Sequence, residues 1–532
     1  MTTTKVFTPS PEQAVFLDWI SNGTGSCVLE AVAGAGKTST LMEGVKRMNG
    51  EVFLGAYNTK MAAELKGRLA DMGLEAMGSN GKTAATFHSA GFSALRYALK
   101  ATGFTVDDKG KKVMNIVNEM FADMNREPEA GEAGAICKLV SLAKQTGFFC
   151  RGLVEIVKPH YWVELINRHD VADGLSDDYD INTLVSLADA ALKASNAQRT
   201  IIDFDDMCYL PLLMNLRFWK KDWVLIDEAQ DTNSVRREIA RRMLKPGTGR
   251  LVAVGDPHQA IFGFTGADNR SLDLIRQIFG AATMSLSVSW RCPQAVVAVA
   301  RQYVDHIHAA PTALEGSVSA ISYRQMVDTI QPGHAVLCRF NAPLVELCFR
   351  LIRAGKAAKI EGREIGKGLV DLVGRWKVKS LDAFETKLIK WDARERAKAG
   401  ADEAKLARHE DKQATIVCLL ERAREQGLQT VAEMQTMVSG MFADTALEGS
   451  AGQVILSSVH KSKGLEWPVV HILGRGEILP SPRAVQEWQQ EQEINLAYVA
   501  VTRAQEALID VPMPTPADLM KAAKKPVEEV AS

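Results

Sequence analysis

Short apolar runs alternate with stretches of helical periodicity over much of the chain. Val28 and Leu29 belong to the first run, and Leu41, Val45 and Met48 follow it at the spacing of one helix face. A second run, VFLGAYN at 52–58, leads into a stretch rich in Ala and Leu, and a third short strand leads into ATFHSAGFSAL at 85–95. Ahead of them, TPSPEQAVFLDWI at 8–20 reads as a helix with Ser10 as N-cap, Pro11 in its first turn, and Val15, Phe16 and Trp19 on one face. Gln13 protrudes on the other side. Strands alternating with helices predict an α/β fold, a doubly wound parallel sheet with ligand sites at the carboxyl ends of its strands.

The alternation breaks at 96–196, where the pattern is helical and includes the charged turn DDKGKK and the acidic loop DGLSDDYD. The sheet resumes after DFDDM at 203–207, with the strands WVLI and RLVAVG. A second α/β unit begins near 286, with strands in HAVLCRF, AAKIEGRE, QVILSSVH and EWPVVHILG, and an apolar helix, INLAYVAV, before a last strand. Residues 375–445 carry mixed charges at helical spacing and predict a second, small insertion with solvated faces. The expected division is 1–95 and 197–285 for the first α/β domain, 96–196 for its insertion, 286–374 and 446–512 for the second α/β domain, 375–445 for the small insertion, and 513–532 for a frayed tail.

Composition narrows the class. A chain of 532 residues needs more than one core, and 46% apolar with 24% charged residues is ordinary for a globular protein. With 63 Lys and Arg against 64 Asp and Glu there is no global basic footprint, although a groove can be locally positive on a neutral protein. Eight widely spaced cysteines without a C-x-x-C pair predict reduced thiols, no structural zinc and a cytoplasmic setting. The opening MTTTKVFTPSPEQ has no apolar signal core, and no window approaches 18 apolar residues, so neither a secretion signal nor a membrane span is expected.

The strongest chemical signal is EAVAGAGKTST. Gly34 and Gly36 permit the tight turn that lets backbone N–H groups converge on phosphate at a helix N-terminus, so Ala33, Gly34, Ala35, Gly36 and Ser39 frame a nucleotide site. Lys37 would reach the β and γ phosphates, and the Thr38 hydroxyl would ligate Mg²⁺. Ala31 stands where the strict pattern begins with glycine. The second signal is WVLIDEAQD, an apolar strand ending in adjacent acids: Asp227 to hold Mg²⁺, Glu228 to orient or deprotonate the attacking water. Gln259 is placed to sense the γ phosphate, and the Gln13 amide has the donor and acceptor that adenine requires.

Tyr57, Asn58, Thr86, Phe87 and His88 fall at predicted strand ends, where aromatics and hydroxyls serve nucleic acid, though a core Phe87 and a satisfied His88 explain that stretch equally well. Phe262 and Phe264 flank Gly263 in a polar turn and suit base stacking. Trp290 beside Arg291 offers an indole for a purine and a guanidinium for phosphate. The polar segment from His460 to Glu466 lies between two apolar strands, as a ligand loop does, and Arg503 at the end of an apolar helix calls for a phosphate or carboxylate partner.

In order, PEQ, AGAGKTS, AYNTK, TFHS, DFDDM, LIDEAQD, VGDPHQAIFGFTGA, SWRCP, VHKSKGLEWPVV and LAYVAVTRA make the chain resemble superfamily 1 DNA helicases of the UvrD/Rep type. The resemblance spans residues 11–504 and implies two RecA-like P-loop domains in tandem, each with a helical insertion, with ATP between them and single-stranded DNA across their top. It implies Gln13 at adenine, Lys37, Thr38, Asp227 and Glu228 at the hydrolysis centre, Gln259, Arg291 and Arg503 at the γ phosphate, and Glu466 near the ribose. Tyr57, Phe87, His88, Phe264 and His460 match positions that touch DNA. Three positions depart: Trp290 stands for the usual Tyr, Phe264 for the common Trp, and Thr265 for a frequent Arg. The expectation is an ATP- and Mg²⁺-dependent monomer that moves 3′→5′ on single strands and opens duplex at junctions. A translocase that strips proteins from DNA, and a nucleotide-gated scaffold, are the alternatives.

Overall fold

Ser10 starts the first helix, Pro11–Asn22, through a reciprocal cap. Its hydroxyl accepts from the Gln13 N–H at 3.2 Å, and the Gln13 carboxamide oxygen accepts from the Ser10 N–H at 2.9 Å. These coordinates come from a computed structural model that describes residues 7–515, apart from 75–80, 101–102, 154, 156–159, 170, 173–174, 177, 262–269, 355, 362–373, 375, 400–402 and 443–451, together with residue 518. The chain forms two units, Met1–Ser289 and Trp290–Ser532.

Eight strands of the first unit matter here. They are β1 (Cys27–Ala31), β2 (Val52–Ala56), β3 (Lys82–Thr86), β4 (Thr105–Val106), β5 (Ile201–Ile202), β6 (Trp223–Ile226), β7 (Arg250–Gly255) and β8 (Ala282–Leu286). Six of them form one parallel sheet in the order β3-β2-β6-β7-β1-β8. The central strands β1, β2, β6 and β7 are almost wholly buried, as expected of strands covered on both faces. At the amino edge of the sheet, the Arg250 guanidinium sits between the Trp19 and Trp223 rings, 4.3 and 4.2 Å from their centroids. It also donates to the carbonyls of Trp19, Ile20 and Gly25, closing the end of the first helix.

The segment expected as a helical insertion is built from helices Lys112–Asp123, Glu132–Thr146, Tyr161–Arg168 and Ile181–Ala197 around Val117, Ile136, Leu139, Val140 and Leu192. It also contains a two-residue parallel ribbon, β4 with β5, that periodicity does not reveal. The DFDDM stretch anchors it. Lys112 and Lys144 both reach Asp206, at 2.6 and 2.8 Å, and Lys144 also meets Asp203 at 2.5 Å, with Lys112, Lys144 and Asp206 fully buried. Burial is the largest influence on Asp206 and pushes its carboxyl up, while Lys144 and Lys112 pull it back.

The second unit holds another six-stranded parallel sheet, in the order Ser317–Ala320, Ala504–Val511, Trp467–Leu473, Ala335–Cys338, Val454–Ser458 and Ala358–Ile360. The helices Leu381–Ala399, Glu403–Glu425 and Val431–Phe442 are not only solvated, as the charge pattern had suggested. Phe384, Leu388, Ile416, Leu419 and Met434 share one core with Val336 and Leu456 of the sheet and Leu344 of helix Ala342–Arg353. Arg422 bridges to Glu346 at 2.8 Å across that contact. Among the described residues no helix is long and apolar enough to cross a membrane.

Replacing Lys144 by Met leaves two buried carboxylates with one lysine. We expect the first unit to lose roughly 3–5 kcal/mol in denaturant unfolding. An unchanged midpoint would show that the cluster does not hold the insertion.

Candidate active site

Strand β1 ends in a loop whose backbone only glycine adopts comfortably. Gly34 and Gly36 have φ of 74° and 77°, and Gly36 is the left-handed residue just before helix Lys37–Arg47. A Cβ at Gly36 would also press on the Gln13 carboxamide at 3.2 Å. Ala33 and Ala35 are buried behind the loop, Lys37 and Thr38 are half-buried, and Ser39 is exposed. The Lys37 ammonium points back over the loop, 3.5 Å from the Ala31 carbonyl. The result is a helix N-terminus with its lysine folded over it, an anion site by geometry and dipole.

Gln13 is not the protruding residue that the helix pattern suggests. It is buried, and its amide nitrogen donates to Thr40 Oγ1 at 2.9 Å and to the Ala35 carbonyl at 3.4 Å. Thr40 in turn donates to the Gly36 carbonyl at 2.9 Å. Gln13 therefore ties the first helix to the phosphate loop.

Strand β6 delivers Asp227 and Glu228 to the same edge of the sheet. Asp227 is buried, and burial first, then the Glu228 charge, push its carboxyl up to about 7 against the pull of Lys37. Glu228 holds a left-handed backbone, φ 51° and ψ 47°, uncommon for a residue with a side chain. A buried carboxylate raised by a like-charged neighbour suits a divalent cation. Thr38 and Asp227 are the residues that would hold Mg²⁺.

A chain of hydrogen bonds links Glu228 to the end of β7. The Gln230 amide donates to the Glu228 carboxylate, and its oxygen accepts from the Asp256 N–H at 3.2 Å. Asp256 Oδ2 accepts from the buried Gln259 amide at 2.7 Å. Glu228 and Gln259, 31 positions apart in sequence, are thus joined by two residues, Gln230 and Asp256, that carried no assigned role although both lie inside the quoted motifs.

The expected nucleic-acid residues part company. Asn58 and Thr86 cap helices Thr59–Asp71 and Phe87–Ala98, accepting from Met61 and Ser89 N–H groups. Phe87 is a core residue: its ring lies 5.7 Å from Phe53, edge-on, in the space that a Cβ on Gly55 would fill. It is not available for stacking. Tyr57 and His88 do open onto a small cavity of about 160 Å³, together with Phe204, Asn233 and Arg236. His88 stacks on the exposed Phe204 at 4.0 Å, and Arg236 lies 4.9 Å over Tyr57. Phe204 and Arg236 were not singled out in the sequence. The Phe in DFDDM, between acids, was the signal for the first. Phe262 and Phe264 lie outside the described residues.

In the second unit Arg291 pairs with Glu466, and its guanidinium lies 3.5 Å from the Thr502 carbonyl. Gln505 donates to Glu466 at 2.9 Å, and Trp290 is exposed. Arg503 is buried, and its donors meet the carbonyls of Val499 and Leu465 and the Thr502 hydroxyl at 2.9–3.1 Å. Two backbone carbonyls and a hydroxyl are thus among the partners of a guanidinium whose position called for a phosphate or carboxylate. The structure brings Arg291, Glu466 and Arg503 together around Thr502, beside the amino ends of strands Trp467–Leu473 and Ala504–Val511. His460 is half-buried in a short helix after strand Val454–Ser458.

The family model described as the UvrD/REP helicase N-terminal domain matches residues 13–279, and that of the UvrD-like helicase C-terminal domain matches 408–510. The chain is 25% identical to the ATP-dependent DNA helicase UvrD2 of Mycobacterium tuberculosis over 552 aligned residues, covering 90% of this chain and 75% of the relative. It is 26% identical to the ATP-dependent DNA helicase Rep of Escherichia coli over 276 residues, 48% of this chain and 38% of Rep. For UvrD1 of M. tuberculosis the identity is 26% over 312 residues, 52% of this chain and 37% of that one.

Burial holds several histidines far below their ordinary value of 6.5: His88 and His460 at about 3, His169 and His471 at about 4. As pH falls through 6.5 the unfolded chain takes up these protons first, so the folded state loses stability from there down to the folded values. Asp227 works in the opposite direction as it takes up its proton below about 7, and the four histidines together outweigh it, so the expected denaturant midpoint falls between pH 6.5 and about 4. A midpoint that rises from pH 6.5 to about 4 would contradict their burial.

Proposed function

The chain belongs to the UvrD/Rep helicase family and is by that membership an ATP-dependent DNA helicase, and on this premise we propose how its residues do the work. ATP lies with its phosphates on the Gly34–Gly36 turn, Lys37 holds the β and γ phosphates, and Glu228 orients the attacking water. The observation that carries this reading is the meeting of Lys37, Asp227 and Glu228 on one sheet edge, with burial and charge raising Asp227 to about 7. Bound Mg²⁺, held by Thr38 and Asp227, would supply neutralisation of phosphate charge. The Gln230–Asp256 link couples the water-orienting Glu228 to Gln259, the γ-phosphate sensor.

Arg291 and Arg503 are the second unit's cations for phosphate. Arg291 gives up Glu466 to act as one. An arginine used in this way is worth about 10³–10⁵ in rate. Trp290, exposed beside Arg291, offers its face to the base, and Gln13 reads the adenine edge by exchanging its present partners.

Single-stranded DNA runs past Tyr57, Asn58, His88 and His460, and Phe204 extends the stacking surface that His88 begins. Movement is 3′→5′ by a cytoplasmic monomer acting at junctions of single- and double-stranded DNA. Glu228→Gln is expected to bind ATP normally while DNA-stimulated hydrolysis falls about 10²–10⁴-fold. Unchanged turnover would remove Glu228 from the chemistry. On tailed duplexes with ATP, we expect unwinding from 3′ overhangs only. Unwinding from 5′ overhangs would reverse the polarity, and protein displacement without strand separation would favour the translocase reading.

A further inference from the structure

The amino edge of the first sheet carries a feature that the ATP site does not use. Lys220 precedes β6, the segment 245–249 precedes β7, and both lie at the end of the parallel strands opposite the phosphate loop. They meet the 149–152 segment and the end of helix Ile181–Ala197 around a groove of about 1490 Å³. That volume exceeds the roughly 300–1,000 Å³ of small-molecule pockets, so the groove has the dimensions of a polymer track.

Eight lysine and arginine side chains line it, and no carboxylate does among the described residues. Neighbouring acids offset part of that charge: Glu238 pairs with Arg241 and Arg242, Asp222 with Lys245, and Asp189 with Lys193. Arg151, Arg199 and Arg217 are exposed and face no carboxylate among the described residues, and Lys220 donates to the Arg242 carbonyl at 2.6 Å. Burial, followed by the charges of Arg241 and Arg242, lowers the Lys220 ammonium, a sign of like charges crowded together. On a chain of net charge −1, so local a positive excess suits a polyanion.

One exposed ring lies among these cations, and two more meet beside the lining residue Lys220. Phe149 lines the groove, 45% exposed, with Lys193 5.7 Å over its ring. Trp219, between the lining residues Phe218 and Lys220, is 55% exposed and meets Tyr97, itself 79% exposed, edge-on at 6.3 Å. Phe149 and Asn215, both in the groove wall, hold φ of 62° and 51°. A left-handed phenylalanine is strained, and here the strained conformation accompanies a ring turned out to water. Cations for phosphates with aromatic faces between them are what a single strand requires. An acidic peptide has no use for the rings, and a duplex hides its bases from them.

We propose that this groove is a second binding track for single-stranded nucleic acid, on the face of the first unit opposite its nucleotide loop. It does not depend on the reading of the ATP site. The test uses the full chain with Arg151, Arg199 and Arg217 all changed to Glu, and oligothymidylates of about 10 and about 40 nucleotides as probes. The longer strand is expected to bind at least about tenfold more weakly, with the slope of log K against log salt reduced by roughly two, because each lost phosphate contact on a single strand removes about 0.7. Binding of the short strand and hydrolysis of ATP without DNA stay at the unmodified level, and changing the same three residues to Lys retains long-strand binding. Unchanged affinity and slope for the longer strand in the Glu variant would overturn the proposal. So would equal weakening of a blunt duplex of the same length, or poly-glutamate displacing the longer strand from the unmodified groove more effectively than a second oligothymidylate does. Loss of short-strand binding or of ATP hydrolysis in both variants would overturn the separation of this groove from the helicase site.

Discussion

Two adjacent carboxylates at the end of a strand that water does not reach are the constraint on which the rest of this molecule depends. Strand β6 is buried along its whole length, so Asp227 emerges where ionisation is penalised, next to a second acid and with Lys37 as the near counter-charge. Burial and the Glu228 charge raise its carboxyl well above the usual carboxylate range, and any cation brought to this edge favours the charged form. The surroundings serve that arrangement. Gln13 and Thr40 fix the phosphate loop from behind, and Gln230 and Asp256 fix Glu228 from the side. The left-handed backbone at Glu228 is the local strain these contacts sustain.

The buried ions of the insertion follow a different logic. Lys112, Lys144, Asp203 and Asp206 neutralise one another within hydrogen-bonding distance, so their charges fix geometry and leave nothing for a ligand. Asp227 is instead left in need of compensation. The contrast between buried acids paired directly with lysines and one that meets a backbone N–H beside a like charge separates anchoring from chemistry in a chain where both kinds occur at strand ends or beside them.

Much of this was legible in the sequence where the cause is local. The glycines, Lys37 and the paired acids are adjacent in sequence, and strand-helix alternation gave both parallel sheets. What was not legible comes from tertiary placement. The burial of Gln13 depends on Thr40, that of Phe87 on a gap left by Gly55, and that of Arg503 on carbonyls from Leu465 and Val499. The two-residue ribbon of β4 and β5 is too short for periodicity to register. The basic groove draws on segments scattered from 149 to 249, so neither net charge nor any run of lysines foreshadows it.

The most direct measurement pairs stability with chemistry at one residue. Asp227→Asn removes the charge that burial opposes and keeps the shape. Because the folded pKa lies above the unfolded one, the ionised acid costs stability at pH values above about 7, and its loss is expected to leave the denaturant midpoint of the first unit equal or higher there. Single-turnover hydrolysis of bound ATP is expected to fall at least about 10²-fold in the same protein. A variant that is less stable at that pH, or that hydrolyses ATP at the unmodified rate, would contradict the claim that this buried acid is held under strain for catalysis.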